Sequence, residues 1–401
     1  MPGWRRGISA LAIQYVIRRF SPWERTLFLA FVSDNPWLEA VARLAIIALV
    51  IPIGVIMLTW VERKVIGRLQ MRLGPMRVGP YGLLQGFADT IKLLTKEDVR
   101  PHTADRWTFE LAPFVIVVPV IMSLVAIPFT ADLFIQNLTL GLFYFVAVSG
   151  LSIVGFVMAG WGSDNKYALI GGVRAAAQLI SYEIPLVMAL VAVAMLPQTL
   201  NVPAIVMAQE DTPNIVFQSL AFLIFVIAGT AELYRPPFDI PVAESEVVGG
   251  PTVEYSGIRW SMFQLGEFVS MVLISILGSL IFLGGWQWPW SLFDESVPVA
   301  AQVAMMALKT SVFIFFFMWI RTSLPRLRID QMMSFCWQIL LPFALLQIIL
   351  NGLVLVYDWP NEILIVLSGG AAAAAVYLTH RTAQHAGVRY EPGLQRVGSV
   401  L

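Results

Sequence analysis

GLFYFVAVSGLSIVGFVMAGWG, residues 141–162, runs for 22 residues without one charged side chain. A hydrocarbon core about 30 Å thick needs about 20 apolar residues as a helix, so this stretch predicts a membrane-crossing helix. Its glycines, alanines and serines predict something further. Small side chains let two helices approach closely in lipid, where hydrophobicity alone does not bring them together.

The same pattern repeats along the chain. Counting a span of 139–160 around the quoted run, nine stretches qualify, the others being 39–61, 111–131, 177–197, 214–234, 262–285, 302–320, 334–357 and 361–379. The last holds a Gly–Ala run at 369–375, read as a surface for helix packing. Composition agrees: 58% of residues are hydrophobic and 13% charged, with mean hydropathy +0.75. The expected fold class is all-α, a polytopic membrane helix bundle of about nine transmembrane helices.

Composition also narrows the chemistry. The net charge is zero, so nothing in the charge balance suits nucleic acid. The one cysteine, Cys336, lies in an apolar run and leaves no disulfide framework or iron–sulfur ligand set within the chain. His102, His380 and His385 lie outside the apolar runs and cannot form a buried haem or zinc site. No metal, no flavin and no redox centre of its own are expected in this chain.

Lysine and arginine counts orient the spans. The links around 62–110, 161–176, 232–261 and 321–333 carry most of the basic residues, joined by Arg381, Arg389 and Arg396 in a tail at 381–401. The opposite links, 132–138, 198–213, 286–301 and 358–360, contain no Lys or Arg. The basic side is therefore expected to face the cytoplasm. Residues 1–38 disagree, with Arg5, Arg6, Arg18, Arg19 and Arg25. Together with Trp4, Trp23 and Trp37 they read as an interfacial amphipathic arm.

In the first basic link, Leu83, Leu84, Phe87, Ile91 and Leu94 recur at helical spacing around Asp89 and Lys92. That predicts an amphipathic helix lying at the membrane surface, reached through turns at Gly74-Pro75 and Gly79-Pro80. A second concentration of charge is acidic. Glu232 ends the fifth predicted span, Asp239, Glu244, Glu246 and Glu254 lie in the link after it, and Glu267 is one turn into the next, with only Arg235 and Arg259 as bases among them. Acids so crowded among apolar residues should repel one another and share protons. Pro236-Pro237 stiffens the start of this link and Gly249-Gly250 offers a hinge. Glu183 lies in the fourth predicted span, where a carboxylate is costly and pairing with Arg174 or a proton-handling role are both open. Lys309, in the seventh, leaves snorkelling and a buried ion pair equally open.

Four blocks carry a resemblance. ERKVIGRLQMRLGPMRVGPYGLLQGFADTIKLLTKE (62–97), GWGSDNKYALIGGVRAAAQLISYEIP (160–185), AELYRPPFDIPVAESEVVGGPTVEYSG (231–257) and WIRTSLPRLRIDQMMSFCWQILLP (319–342) resemble, in matching order, the H-type membrane subunit of respiratory complex I. In mitochondria that family is NADH dehydrogenase subunit 1. The resemblance spans about residues 40–357 and implies a membrane domain over 39–380. The arm at 1–38 and the ninth span with its tail depart from the smaller mitochondrial form. An extra C-terminal helix occurs in some bacterial members, which implies a bacterial inner (plasma) membrane.

The resemblance implies a quinone-binding, proton-coupling subunit of a proton-translocating NADH:quinone oxidoreductase. Quinone, either ubiquinone or menaquinone, would be the substrate. NADH, FMN and iron–sulfur clusters would belong to partner subunits. Those partners are the quinone-site and iron–sulfur subunits of the hydrophilic arm, small membrane subunits and antiporter-like subunits, with membrane lipid around them. By the same resemblance Glu62, Arg63, Arg72, Asp89, Arg235 and Phe238 belong to the quinone tunnel, Arg72 and Asp89 beside its entry, with a structural role for Arg235 also open. Glu183 and Glu232 match carboxylates of the proton-input path. Asp239, Glu244, Glu246 and Glu254 link tunnel to path, and Glu267 extends the line. The alternatives are the equivalent subunit of a ferredoxin- or hydrogenase-linked complex, or an autonomous proton-coupled transporter. The transporter would predict inverted repeats with broken helices, and no block recurs.

Overall fold

A computed structural model of the chain describes residues 36–131, 133–288 and 298–388, without the side chains of 36–40, 42–49, 244–245, 380 and 382–388. Almost all of the expected N-terminal arm and most of the tail lie outside the described residues. Ten principal helices follow one another: α1 (Pro36–Leu69), α2 (Gln85–Thr95), α3 (Arg106–Ala126), α4 (Gly141–Gly162), α5 (Lys166–Met195), α6 (Ser219–Glu232), α7 (Gly257–Phe282), α8 (Val299–Ser323), α9 (Ile329–Val356) and α10 (Glu362–Val388). The described residues contain no extended strand. In lipid every backbone polar group needs an internal partner, and helices supply it within one segment.

By length and composition seven of these helices can cross a membrane: α3, α4, α5, α7, α8, α9 and α10 over Glu362–Thr379. The bundle is thus polytopic. The two other spans expected from sequence take different forms. α1 is a helix of 34 residues, and its first half falls largely among side chains outside the description. The stretch 214–234 is broken into Asn214–Phe217 and the 14-residue α6. At that break Ser368 of α10 donates to Phe217 O at 2.7 Å, giving the interrupted backbone a partner.

The core is built on α5, α6 and α7, where Tyr182, Leu190, Leu220, Phe225 and Phe282 are fully buried. The small residues of α4 do bring helices together. A Cβ on Gly172 of α5 would stand 3.0 Å from Phe156 O and 3.2 Å from Gly160 Cα. The Gly–Ala run of α10 is looser, with open space beside Gly370.

Prolines inside helices release carbonyls four residues back, and side chains from distant elements meet two of them. Pro113 releases Phe109 O, and Tyr255 Oη donates to it at 3.1 Å. Pro185 releases Ser181 O, and the Cys336 thiol donates to it at 3.0 Å from a π turn of α9 at Cys336–Leu340. The last carbonyls of α7 are met in the same way. Gln209 donates to Leu280 O and Asn214 to Ile281 O, each at 3.0 Å. Lys309 Nζ donates to Leu283 O at 2.5 Å and Gln287 O at 2.7 Å. Lys309 is therefore a cap on a helix end.

The surface helix α2 lies where the periodicity predicted it. It docks on α1 at Gly86, where a Cβ would meet Ile56. Gly79 (φ 71°) and Gly82 (φ 78°) form the turn before it, in backbone conformations that favour glycine. Ile91 and Leu94 remain 61% and 59% exposed, while Leu83 and Phe87 are half-buried, so the apolar series leaves the bundle towards the C-terminal end of α2.

Candidate functional site

Four elements converge at one end of the bundle. α1 continues as a helix past residue 61 and carries Glu62 within it, and the turn after α6 carries Arg235. Glu267 projects from the first part of α7, and Arg321 comes from the last turn of α8. The turn that delivers Arg235 is forced locally. Tyr234 adopts φ 50°, and Pro236 and Pro237 have no N–H with which to prolong the helix.

Arg235 Nη1 and Nη2 donate to Glu62 Oε1 and Oε2 at 3.0 and 3.3 Å, a two-pronged carboxylate contact. Arg321 Nη1 donates to the same Glu62 Oε1. Arg235 Nε lies 3.3 Å from Glu267 Oε1, off the line of a hydrogen bond. The Phe268 ring centre stands 5.0 Å from the Arg235 guanidinium. Glu62 is 3% exposed and Arg235 2%. Two carboxylates against two guanidiniums make the quartet neutral, and so compatible with burial.

A cavity of about 450 Å³ borders this quartet. Its wall includes Glu232, Tyr234, Arg235, Asp239, Glu267, Arg321 and Arg326, with Ser123, Ser149, Ser152, Gln264 and Ser270 among apolar side chains. A smaller cavity of about 150 Å³ is lined by Thr59, Glu62, Arg63, Gln264, Glu267 and Arg321. Gln264, Glu267 and Arg321 line both, so the ion quartet is the partition between the two.

The acids around the larger cavity differ in how they are held. Asp239 accepts from Arg326 Nη2 at 2.9 Å. Burial pushes its carboxyl up to about 6; the Arg326 and Arg321 guanidiniums work against that and the Glu267 charge adds to it. Glu232 Oε2 is buried without a hydrogen-bond partner, and so is the Tyr234 hydroxyl. Neither Glu232 nor Glu183 has an ion pair among the described residues, and the two carboxylates are near enough to repel. Glu183 lies against Gly150, at the break in the middle of α4, where a Cβ would fall 2.6 Å from its Oε1. Glycine there leaves room for the carboxylate.

The expected repulsion within 232–267 is offset by partners from far along the chain, two arginines and one neutral amide. Arg326 holds Asp239, Arg174 holds Glu246 at 2.7 Å, and Asn165 donates to Glu254 at 2.5 Å. Counting bases inside the sequence window missed both arginines, and no count of charge would find Asn165. Arg174 is thereby committed to Glu246 and does not pair with Glu183. The side chain of Glu244 lies outside the described residues.

The residues expected along a ligand path divide into three groups. Glu62 and Arg235 join the quartet. Arg63 and Asp89 pair with each other at 2.5 Å beside α2, with Gln85 also donating to Asp89 at 3.2 Å. Burial works to raise the Asp89 carboxyl, but those two hydrogen bonds and the Arg63 and Lys92 charges hold it below the usual carboxylate value. Arg72 is exposed, donates to Gln70, and stands apart. Phe238 is buried with its ring 5.4 Å from that of Tyr182, and it lines neither cavity. Sequence reading missed Arg321 and Arg326 as members of the site, taking them for topology signals. Only the 319–342 block hinted at them, since nothing local marks a partner more than 80 residues away.

A family model described as NADH dehydrogenase matches residues 42–352. The chain is 50% identical over 297 residues to the H-type NADH-quinone oxidoreductase subunit of Brevibacillus brevis, covering 74% of this chain and 87% of that one. It is 47% identical over 329 residues to the corresponding protein of Geobacillus kaustophilus, covering 79% and 97%. With a relative of the same type from Geobacter sulfurreducens the identity is 44% over 325 residues, covering 79% and 96%. The range matched by the family model contains the whole quartet and every residue of the larger cavity.

Proposed function

We infer, since the chain belongs to the NADH dehydrogenase family, that its buried quartet and cavity join a quinone path to a proton path. The chain is a membrane subunit of an NADH-quinone oxidoreductase complex. The observation that carries the finer reading is Glu232, a buried carboxyl with an unpartnered oxygen on the same cavity as the quartet. A volume of about 450 Å³ falls within the roughly 300–1,000 Å³ of small-molecule sites.

Reducing a quinone to a quinol adds two electrons and two protons. The electrons come from partner subunits holding NADH, FMN and iron–sulfur clusters, and the protons must pass this chain or its neighbours. Arg235, Arg321 and Arg326 are the cations that face negative charge arising in the cavity, and the first two also hold Glu62. Drawing either guanidinium towards that charge weakens its hold on Glu62, and a carboxylate so exposed to low dielectric attracts a proton. Asp239, with its carboxyl near 6, can exchange a proton with water close to neutral pH. Glu267, Glu232 and Glu183 are the next carboxyls inward, and Arg174–Glu246 and Asn165–Glu254 tie the surrounding loop to α5 and its N-cap.

The excess of Lys and Arg on the links at this end supports a cytoplasmic position, in a bacterial inner membrane. Ubiquinone and menaquinone both suit the reading. Its test is Glu232→Gln and Glu183→Gln in the assembled complex. Quinone-linked turnover should fall by about a hundredfold or more, the scale of a lost proton-transfer group. Oxidation of NADH by artificial acceptors, a reaction of the partner subunits, should persist. Normal quinone turnover in both variants would sink the assignment.

A further inference from the structure

Gln178 of α5 is fully buried, and its Nε2 donates to two backbone carbonyls, Ala231 O and Phe238 O, each at 2.7 Å. Both partners are carbonyl oxygens, which accept only from the NH₂ end, so the chemistry of the site fixes the amide orientation. Ala231 immediately precedes Glu232, and Phe238 immediately precedes Asp239. One side chain therefore bridges the two ends of the turn whose tip presents Arg235 to Glu62 and Glu267.

The bridge belongs to a stripe. Arg174, Gln178 and Tyr182 follow at intervals of four and share one face of α5. Arg174 holds Glu246, Gln178 holds the backbone at 231 and 238, and Tyr182 lies against the Phe238 ring. The Oε1 of Gln178 has no hydrogen-bond partner. The amide's two donors satisfy two buried carbonyls at once. What the amide accomplishes is to hold two carbonyls, and with them two carboxyl-bearing residues, at one separation.

We propose that Gln178 is a positioning residue: it sets the spacing of Glu232 and Asp239 across the Arg235 turn, so that both face one cavity and exchange protons with the same occupant. The proposal rests on the proton-path reading above. The groups that act on the pair are Glu183 and Tyr234 beside Glu232, and Arg326, Arg321 and Glu267 beside Asp239. Releasing the turn moves both carboxyls relative to these groups.

The test is Gln178→Met, of similar length but without the donor, in the assembled complex. Quinone-dependent turnover is measured across pH and normalised to NADH oxidation by an artificial acceptor. Turnover per assembled complex should fall roughly tenfold to a hundredfold, the cost of misplacing reacting groups by about an ångström, and the pH–rate profile should shift. An unchanged profile, with turnover per complex intact or merely scaled, overturns the proposal. Gln178→Asn keeps the donors but shortens their reach. The same loss and shift are expected, and it decides the matter if Gln178→Met does not assemble. Glu232→Gln is run alongside. Its normal turnover would overturn the proton-path reading itself, whereas an inactive Glu232→Gln beside wild-type behaviour of Gln178→Met overturns only the positioning role.

Discussion

Replacing Glu62 by Leu removes the acceptor shared by Arg235 and Arg321. Arg321 is 35% exposed at its side chain and can turn towards water, but Arg235, at 2%, cannot. Its remaining carboxylate neighbour, Glu267, stands 3.3 Å from Nε without hydrogen-bond geometry. A buried cation left this way costs about 3–5 kcal/mol, a large share of the roughly 5–15 kcal/mol that stabilises a typical domain. Replacing both partners, Glu62→Leu with Arg235→Met, removes the stranded charge and should recover most of that loss. The assay is the thermal midpoint of the detergent-solubilised complex for wild type, each single variant and the pair. Quinone turnover should stay low in the pair even where stability returns, which separates the quartet's role in function from its role in folding. A double variant destabilised by the sum of the two singles would refute the claim that the charges are coupled across this contact.

Two other outcomes follow from the same structure. The Asp239 carboxyl lies at about 6 in the fold against 3.8 when free, so its contribution to stability is complete below about pH 4 and lost as pH rises through about 6. Asp239→Asn cannot ionise, and its thermal midpoint relative to wild type should therefore climb between about pH 4 and pH 7; a flat difference would contradict the burial argument. Tyr255→Phe strands the Phe109 carbonyl and should cost about 1–3 kcal/mol. Adding Pro113→Ala restores a helical N–H to that carbonyl and should return most of the loss in the same melting assay, whereas additive losses would argue against the released-carbonyl explanation.

The sequence announced its helices because lipid demands long apolar runs, and 141–162 needed little more than counting. The extents were harder to read. α5 starts at Lys166 and α1 runs on to Leu69, because charged residues at a helix end lower hydropathy without breaking backbone hydrogen bonds. Amphipathic spacing located α2, since the pattern is local. The acidic cluster was visible as a cluster but misjudged as an excess, because charge balance is a property of space and a window of sequence sees only neighbours. Arg174, Arg321 and Arg326 were counted for topology, and each also neutralises a specific acid in the third dimension. The buried amides of Gln178, Gln209 and Asn214 gave no signal at all, because nothing in one dimension tells which carbonyls a kinked or ended helix leaves open.

Glu62 and Arg321 stand 259 positions apart in the chain. A ribosome adding about 5–20 residues per second needs roughly 10–50 s to travel that far. The first helix therefore emerges with its carboxylate long before either arginine exists, and Arg235 precedes Arg321 by two helices, α7 and α8. During that interval Glu62 must stay wet or carry a proton. The quartet becomes neutral only once the eighth helix is in place, so the same contact that borders the cavity also reports that insertion of the bundle has reached that point. A chain halted before residue 235 carries Glu62 without either of the arginines that hold it in the finished subunit.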